Sequence, residues 1–432
     1  MRFSSLSQWL QWQENLHFTE VDPGLERVGE VWRLMGGNTK LPCKVVTIAG
    51  TNGKGSSVAM TAAILQAAGY RTGTYTSPHL LRYNERICID GEPCHDADIC
   101  AAFERIDQAR GDISLTYFEF ATLAAADLFC RQQVDIAILE VGMGGRLDAV
   151  NLFDTDVALI TPIGLDHMAW LGDNRETIGR EKAGIIRPDS PVVCSELSPP
   201  QSVLNYAESL KTNCLVAGKD FSHQQQTSNW SWRNRDYHYR DLPMPALTGA
   251  YQLQNASAVL QVCALLSQQG IIIDEPVIRL GLEQVRLSGR FQVIEGPITR
   301  ILDVTHNQQG ADNLRTLLAE TAGQGKTYAV LAMLKDKDSH AVANTLNDVI
   351  DFWYLAGLDG NRGLSAEALC ENLLPIVGDK KVGSYEQVSD AYHAAMATAA
   401  AGDRILIFGS FHTVEAAMRA MPELASPVSV AS

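Results

Sequence analysis

Runs of consecutive apolar residues alternate along the chain with stretches whose apolar positions recur at helical spacing. KVVTIAG at 44–50 is a β-branched run ending in glycine, which predicts a buried strand meeting a turn. SSVAMTAAILQAA at 56–68 carries apolar residues at helical spacing, with Gly69 as its stop. RTGTYTS then reads as a second strand leading to Pro78. Residues 116–131 predict a buried helix rich in Ala, Phe and Leu. VDIAILE at 134–140 predicts a strand with an acid at its carboxyl end, and DVALIT at 156–161 the next strand. Such alternation predicts a mostly parallel sheet covered by helices.

The pattern changes between about 195 and 245. QQQ occurs at 224–226, followed by NWSWRNRDYHYRDLPMP, in which Trp230, Trp232, Tyr237 and Tyr239 lie near period-two spacing. Peripheral strands or loops are expected, read as a solvated β-hairpin, although aromatic and basic residues together also suit stacking on nucleic acid. Helical spacing returns from Asn255 to Leu266. A second α/β pattern begins after Arg290 with RFQVIEG, TRILDVTH, KTYAVLAML, DFWYLAGL and DRILIFGS. The boundary is expected near 285–290, at LSGR, dividing the chain into residues 1–287 and 288–432. The tail from Pro422 onward is expected to fray.

Composition narrows the classes. A chain of 432 residues, 46% hydrophobic, can bury two sizeable cores. The formal net charge is -15 and no long Lys/Arg run occurs, which argues against an extended nucleic-acid surface. An anionic ligand would need local positive groups or backbone N–H donors. The nine cysteines, from Cys43 to Cys370, include no C-x-x-C pair, and no histidine completes a zinc pattern around Cys88, Cys94 and Cys100. Reduced thiols are expected. The polar N-terminus and the lack of any ~20-residue apolar stretch predict no membrane span and a cytoplasmic location.

GTNGKGS at 50–56 lies directly between the predicted strand and the predicted helix. Glycines let backbone N–H groups approach a phosphate, and the helix N-terminus adds a favourable field. Lys54 can neutralise β- and γ-phosphates and the charge that develops during transfer. The match to G-x-x-x-x-G-K-[ST] is imperfect: Gly55 follows the lysine, so a magnesium-binding hydroxyl has to come from Ser56, Ser57 or elsewhere. Glu140, at the end of its strand and before VGMGGR, can hold magnesium directly or through water, or simply cap the strand. Ser77, in TSPHL, could complete a magnesium shell or serve a turn. Asp166 and His167, in GLDH, offer an imidazole for a cation or phosphate, with a core-satisfying histidine as the competing reading. Lys182, in IGREKAGIIR, would ordinarily be a surface charge. Arg290, Asp303 and His306 could meet nucleotide on domain closure.

These stretches together resemble the folylpolyglutamate synthase and dihydrofolate synthase family of the Mur-ligase superfamily. The resemblance is carried by GTNGKGS at 50–56, TSPHLLRYNERI at 76–87, ISLTYFEF at 113–120, LEVGMGGRLDAVN at 139–151 and LDH at 165–167. It continues through IGREKAGI at 178–185, GR at 289–290, DVTHN at 303–307 and FGSFHTV at 408–414. It implies an α/β fold with a P-loop-containing, Mur-ligase-like ATPase domain and a smaller Rossmann-like C-terminal domain. It further implies that Gly50, Thr51, Asn52, Gly53, Lys54, Gly55 and Ser56 cradle ATP, with Lys54 on the triphosphate. Ser77 and Glu140 become ligands of one Mg2+ and His167 of a second. Lys182 becomes a lysine that is carbamylated, Asn255 an adenine contact, Arg290 and His306 triphosphate contacts, and Asp303 a ribose- or nucleotide-orienting residue. Two departures stand out: DVTHNQ replaces the usual D-x-A-H-N-P, and TPIG replaces TSIA before LDH.

The activities implied are addition of L-glutamate to 7,8-dihydropteroate, and of further glutamate to reduced folates through the γ-carboxylate. RGDISLTYFEF particularly resembles bifunctional bacterial members, in which the pterin lies near 116–120. The acid would attack the γ-phosphorus of ATP, and the glutamate amine would then attack the acyl phosphate; no general base is assigned. The competing readings are a cell-wall Mur ligase and a nucleotide-controlled interaction protein without ligase activity. The first is disfavoured because the phosphate loop starts by residue 50, leaving no clear N-terminal UDP-binding domain. The second is disfavoured by the paired domain motifs. No nucleic-acid partner is expected, and the two-domain pattern is compatible with a monomer.

Overall fold

A computed structural model describes residues 2–321, 325–421 and 424, and divides the chain into two compact units. The first comprises Met1–Ala246 and Ala250–Arg286, the second Leu247–Gly249 and Leu287–Ser432. Almost all of the tail expected to fray lies outside the described residues.

The first unit is built on an eight-stranded sheet. Its strands are β1 (Lys44–Ala49), β2 (Thr72–Tyr75), β3 (Ile87–Ile89), β4 (Glu92–Pro93), β5 (Ile136–Glu140), β6 (Val157–Ile160), β7 (Val192–Cys194) and β8 (Cys214–Val216). They run in the order β4-β3-β2-β5-β1-β6-β7-β8. The stretch β2 to β8 is parallel, and β3 and β4 close one edge antiparallel. β1 and β5 are buried along nearly their whole length, which explains their uninterrupted apolar runs. Because the pairing is parallel, the carboxyl ends of β2, β5, β1 and β6 share one edge of the sheet.

Helix Lys54–Ala67 begins at the lysine itself, two residues before the expected start, because Gly53 (φ 91°) turns the chain directly into it. Helix Tyr117–Arg131 matches expectation; Thr116 caps it and Glu119 returns a bond to the Thr116 N–H at 2.8 Å. β7, β8 and helix Gln201–Ser209 were not foreseen.

The polar stretch folds as a three-stranded antiparallel sheet of β9 (Ser222–Gln225), β10 (Asn229–Arg233) and β11 (His238–Pro243), in the order β11-β10-β9. It is not the solvated hairpin expected. Trp230 and Trp232 are 0% and 1% exposed, and the Trp232 indole N–H donates to Ser257 O at 2.9 Å on helix Ala250–Gln268. Alternation along β10 puts both rings on the covered face, so neither offers a stacking platform.

The second unit holds β12 (Gln292–Ile294), β13 (Thr299–Asp303), β14 (Thr327–Leu331), β15 (Phe352–Ala356), β16 (Lys381–Tyr385) and β17 (Arg404–Phe408). Their order is β12-β13-β17-β14-β15-β16, with β12 alone antiparallel. The five apolar strings named from sequence became strands. β16 was missed because it is a half-exposed edge strand with the polar sequence KVGSY. All nine cysteines are free, and among the described residues no helix is long and apolar enough to cross a membrane.

Candidate active site

β1 lies between β5 and β6, so the chain leaving Ala49 emerges at the middle of the sheet edge. Gly50 has to be glycine: a Cβ there would stand 1.7 Å from the Thr161 hydroxyl. The loop is pinned to the exit of β6. The Thr51 N–H donates to Pro162 O at 2.9 Å, while the Thr51 hydroxyl donates to Gly164 O and accepts the Gly164 N–H, each at 3.1 Å. The Pro162 substitution keeps the one group this contact uses, its carbonyl. Asn52 N–H also points to Pro162 O, at 3.4 Å.

Two lysine amines converge on one carbonyl. Lys54 Nζ donates to Gly50 O at 3.1 Å and Thr51 O at 3.2 Å; Lys182 Nζ donates to Gly50 O at 2.8 Å. Lys182 is 3% exposed, not the surface charge that an isolated lysine suggests. Burial, followed by the nearby Lys54 charge, pushes the Lys182 pKa down to about 7 against the opposing pull of Asp166 and Asp148. Gly145 permits this burial: a Cβ there would lie 2.7 Å from Glu181 O and 3.0 Å from the Lys182 Cα.

Ser56 turns its hydroxyl toward Gln252, whose Nε2 donates to it at 3.2 Å; Gln252 Oε1 in turn accepts from Asn255 Nδ2 at 3.0 Å. Asn255 is buried, and its Oδ1 would stand 2.5 Å from a Cβ at Gly53. Asn255 therefore packs on the phosphate loop. Gly55 is buried in the first turn, and Ser57 Oγ is buried with no partner.

Across the sheet edge, Glu140 ends β5 and is 5% exposed. Its Oε2 accepts the Ser77 N–H at 3.3 Å, so the two residues expected to supply oxygen ligands are neighbours. His167 takes a left-handed conformation (φ 51°) and opens helix Met168–Leu171; its N–H donates to Asp166 Oδ1 at 2.8 Å. Among the described residues no group of three or more His, Cys, Asp and Glu is arranged to hold a metal. A hydroxyl and a carboxylate at one strand edge nevertheless suit a hard cation that takes its other ligands from phosphate oxygens and water.

One residue at this edge had no assigned role in the sequence. Asp148 lies in GGRLDAV and accepts N–H bonds from Met143 at 2.9 Å and Val150 at 3.0 Å. Burial raises its pKa to about 6, although those N–H groups and Lys54 pull the other way. Its only sequence signal is an acid just beyond a glycine-rich turn.

In the second unit, Asp303 ends β13 and is 4% exposed. Its two oxygens accept the N–H groups of Phe291 at 2.7 Å and Thr305 at 2.8 Å. His306 Nδ1 lies 2.9 Å from Val304 O; a carbonyl only accepts, so Nδ1 carries the proton there. The Arg290 guanidinium lies 5.1 Å from the centre of the Phe411 ring. Gln308, where the related motif has proline, is the first residue of helix Gln308–Glu320, capped by Asn307.

Two family descriptions match the chain: Mur ligase middle domain over residues 48–263, and Mur ligase, glutamate ligase domain over residues 289–411. The dihydrofolate synthase/folylpolyglutamate synthase of Escherichia coli (strain K12) is 42% identical over 411 residues, covering 95% of this chain and 94% of that one. The structure of E. coli FolC in complex with DHPP and ADP is 41% identical, with TM-score 0.91, and covers 98% of this chain and 99% of that one. A bifunctional folylpolyglutamate synthase/dihydrofolate synthase with Mn, AMPPNP and L-glutamate bound is 42% identical, with TM-score 0.87, covering 97% and 98%.

Proposed function

Because the chain belongs to the dihydrofolate synthase/folylpolyglutamate synthase family of Mur ligases, we propose that it is an ATP-dependent carboxylate–amine ligase. It adds L-glutamate to 7,8-dihydropteroate, giving dihydrofolate, and extends reduced folates into polyglutamates. The observation that carries this reading is the convergence of Lys54 and Lys182 on Gly50 O, at the strand edge where Ser77 and Glu140 also meet.

A carboxylate is a poor electrophile, so it has to be activated first. An oxygen of the acid attacks the γ-phosphorus of ATP, the bond to the bridging oxygen breaks, and ADP leaves. Lys54 exchanges its loop carbonyls for phosphate oxygens, and the N–H groups of residues 50–56 complete the cradle. Mg2+ held by Ser77 and Glu140, with a second ion at His167, would supply neutralising charge to those oxygens. The neutral amine of glutamate then attacks the acyl carbon, and the tetrahedral adduct expels phosphate to leave an amide.

A pKa of about 7 leaves Lys182 largely neutral in mildly alkaline solution. A neutral amine can add to the carbon of CO2 and lose one proton, giving an anionic carbamate. Carbamylated Lys182 is therefore part of the proposal, helping to organise cation and phosphate. Asn255 is assigned to adenine, Arg290 and His306 to the triphosphate, and Asp303 to orienting the nucleotide. Residues 1–287 are proposed as the ATP- and pterin-binding part and residues 288–432 as the glutamate-ligase part. The setting proposed is the cytoplasm, with the enzyme acting as a monomer on these small molecules and without nucleic acid; the nine free thiols support a reducing compartment.

Purified protein incubated with ATP, Mg2+, glutamate and either dihydropteroate or tetrahydrofolate should give products heavier by one glutamyl residue. No amide product from either acceptor, with ATP binding confirmed, would reject the assignment.

A further inference from the structure

Among the described residues Arg86 is a buried cation with no acid paired to it. It lies in the short helix Tyr83–Arg86 and is 9% exposed, a degree of burial that arginine rarely shows unless paired. Its Nε donates to His79 Nδ1 at 2.9 Å. The guanidinium carbon stands 5.5 Å from the Tyr83 ring centre and 5.4 Å from that of Tyr117, with the two rings at 88° to each other. Among the described residues no carboxylate pairs with it. The acid beside it in sequence, Glu85, is taken up by the backbone N–H groups of Leu80, Leu81 and Arg82, at 2.7, 2.8 and 2.7 Å. A second group is orphaned at the same place: the Tyr83 hydroxyl is buried, 4% of the residue remains exposed, and among the described residues it has no hydrogen-bond partner.

The fold puts this pair beside the reaction centre. β3 pairs antiparallel with β2, and Arg86 O accepts the Thr76 N–H at 2.9 Å, one residue before Ser77. Tyr117 opens the helix whose next residue, Phe118, stacks near Tyr75, with ring centres 5.8 Å apart. A ring-walled guanidinium with free terminal N–H groups and an orphan phenol is built to receive a carboxylate.

That carboxylate is not the one that reacts. The reacting oxygen needs the Lys54, Ser77 and Glu140 corner, and a tight bond to arginine would draw off the electron density it uses to attack. A folate acceptor carries a second carboxylate on the same glutamyl residue, a short reach from the first. Dihydropteroate carries none. We propose that Arg86 and Tyr83, with Tyr117 as a wall, form a subsite for the non-reacting α-carboxylate of a folate acceptor. The inference rests on the ligase reading above and adds to it a feature that discriminates between the two acceptors.

The test compares tetrahydrofolate with its α-carboxamide analogue, which differs only at the proposed contact. The wild type is expected to favour the acid in kcat/KM by roughly tenfold or more, as for a hydrogen bond to a charged group. Arg86→Met should bring that ratio close to one, chiefly through KM for the acid. Tyr83→Phe, which removes a single oxygen, should lower it by roughly threefold or more. A ratio unchanged in Arg86→Met, or equal losses with both compounds, would overturn the subsite. If Arg86→Met does not fold, Tyr83→Phe decides by the same criterion. Wild-type failure on both dihydropteroate and tetrahydrofolate would instead sink the ligase reading.

Discussion

The phosphate-loop corner of the first unit and the Asp303 corner of the second are both built at the carboxyl ends of parallel strands, yet they treat charge in opposite ways. At the loop, two lysines crowd one carbonyl, Lys182 is driven down to about 7, and Asp148 is driven up to about 6. The lysine charges crowded there are ones that an anion would relieve. At Asp303, both carboxylate oxygens already accept backbone N–H groups, tying Phe291 to Thr305. The loop gathers positive charge that a phosphate could use, whereas the Asp303 carboxylate is already engaged by backbone donors and would act on nucleotide from a fixed position.

Lys54→Ala presses hardest on this contrast. Removing the amine should lower kcat for amide formation by roughly 10³-fold, with a smaller effect on the melting temperature, since the bonds from Lys54 Nζ to the carbonyls of Gly50 and Thr51 are ordinary hydrogen bonds worth about 1 kcal/mol each. Product formation at the wild-type rate would remove Lys54 from the chemistry. A large fall in stability would make the loop a scaffold like its counterpart.

Lys182 supplies the pH test. Its folded pKa of about 7 lies below the ordinary lysine value of 10.5, so between those values the unfolded chain binds the extra proton. Stability therefore rises with pH through that window and the cost of burial is largest below it. Lys182→Met should lose this rise. Unfolding free energies from urea titrations between pH 7 and 9.5 in CO2-depleted buffer should show a rise of roughly 3 kcal/mol in the wild type that the variant lacks. Parallel slopes would mean that the amine is not held neutral. Activity should fall in the same variant.

Asp303→Ala probes the other side. One buried and one half-buried N–H group would lose their acceptor, costing about 2 kcal/mol of stability, read as a lower urea midpoint at constant slope. The rate should suffer less than in Lys54→Ala. A variant as stable as wild type but inactive would assign Asp303 to the reaction and erase the contrast.

How much of this was legible in the sequence follows the same division. GTNGKGS stood out because strand, glycine turn, lysine and helix are consecutive, and the carbonyls that receive the Lys54 amine, those of Gly50 and Thr51, are only four and three residues away. Glu140 was legible for the same reason. Lys182 was singled out only by resemblance, and its burial was not legible: helix Arg175–Ala183 reads as polar, and the contacts with Gly50 and Gly145 come from far away in sequence. Arg86 gave no warning, since RYNERI looks like an ordinary charged stretch until Glu85 is seen facing Leu80, Leu81 and Arg82. Trp230 and Trp232 misled in the reverse direction. Their alternation was visible, but the helix that covers one face of β10 was not. Local pattern identifies elements; whether a polar group is buried depends on partners that only the fold brings.

The smallest effect tests whether the turn after Asp303 is fixed down to a single residue. Gln308 occupies the first helical position after Asn307, whose side chain accepts the Gly310 N–H at 2.9 Å. At that position a backbone N–H has no intrahelical acceptor, so a proline loses nothing there and brings a φ already suited to the helix. The residue before a proline has to be extended, and Asn307 already is, at φ -139° and ψ 166°. Gln308→Pro should therefore stabilise the protein by about 0.5 kcal/mol, mainly by restricting the unfolded chain. The reading is a small upward shift in urea midpoint with kcat and KM unchanged. A loss of stability would show that Gln308 has been fitted to this loop. A change in KM for ATP would show that the DVTHN turn adjusts to nucleotide, making this corner responsive to ligand in the way the loop at Lys54 is.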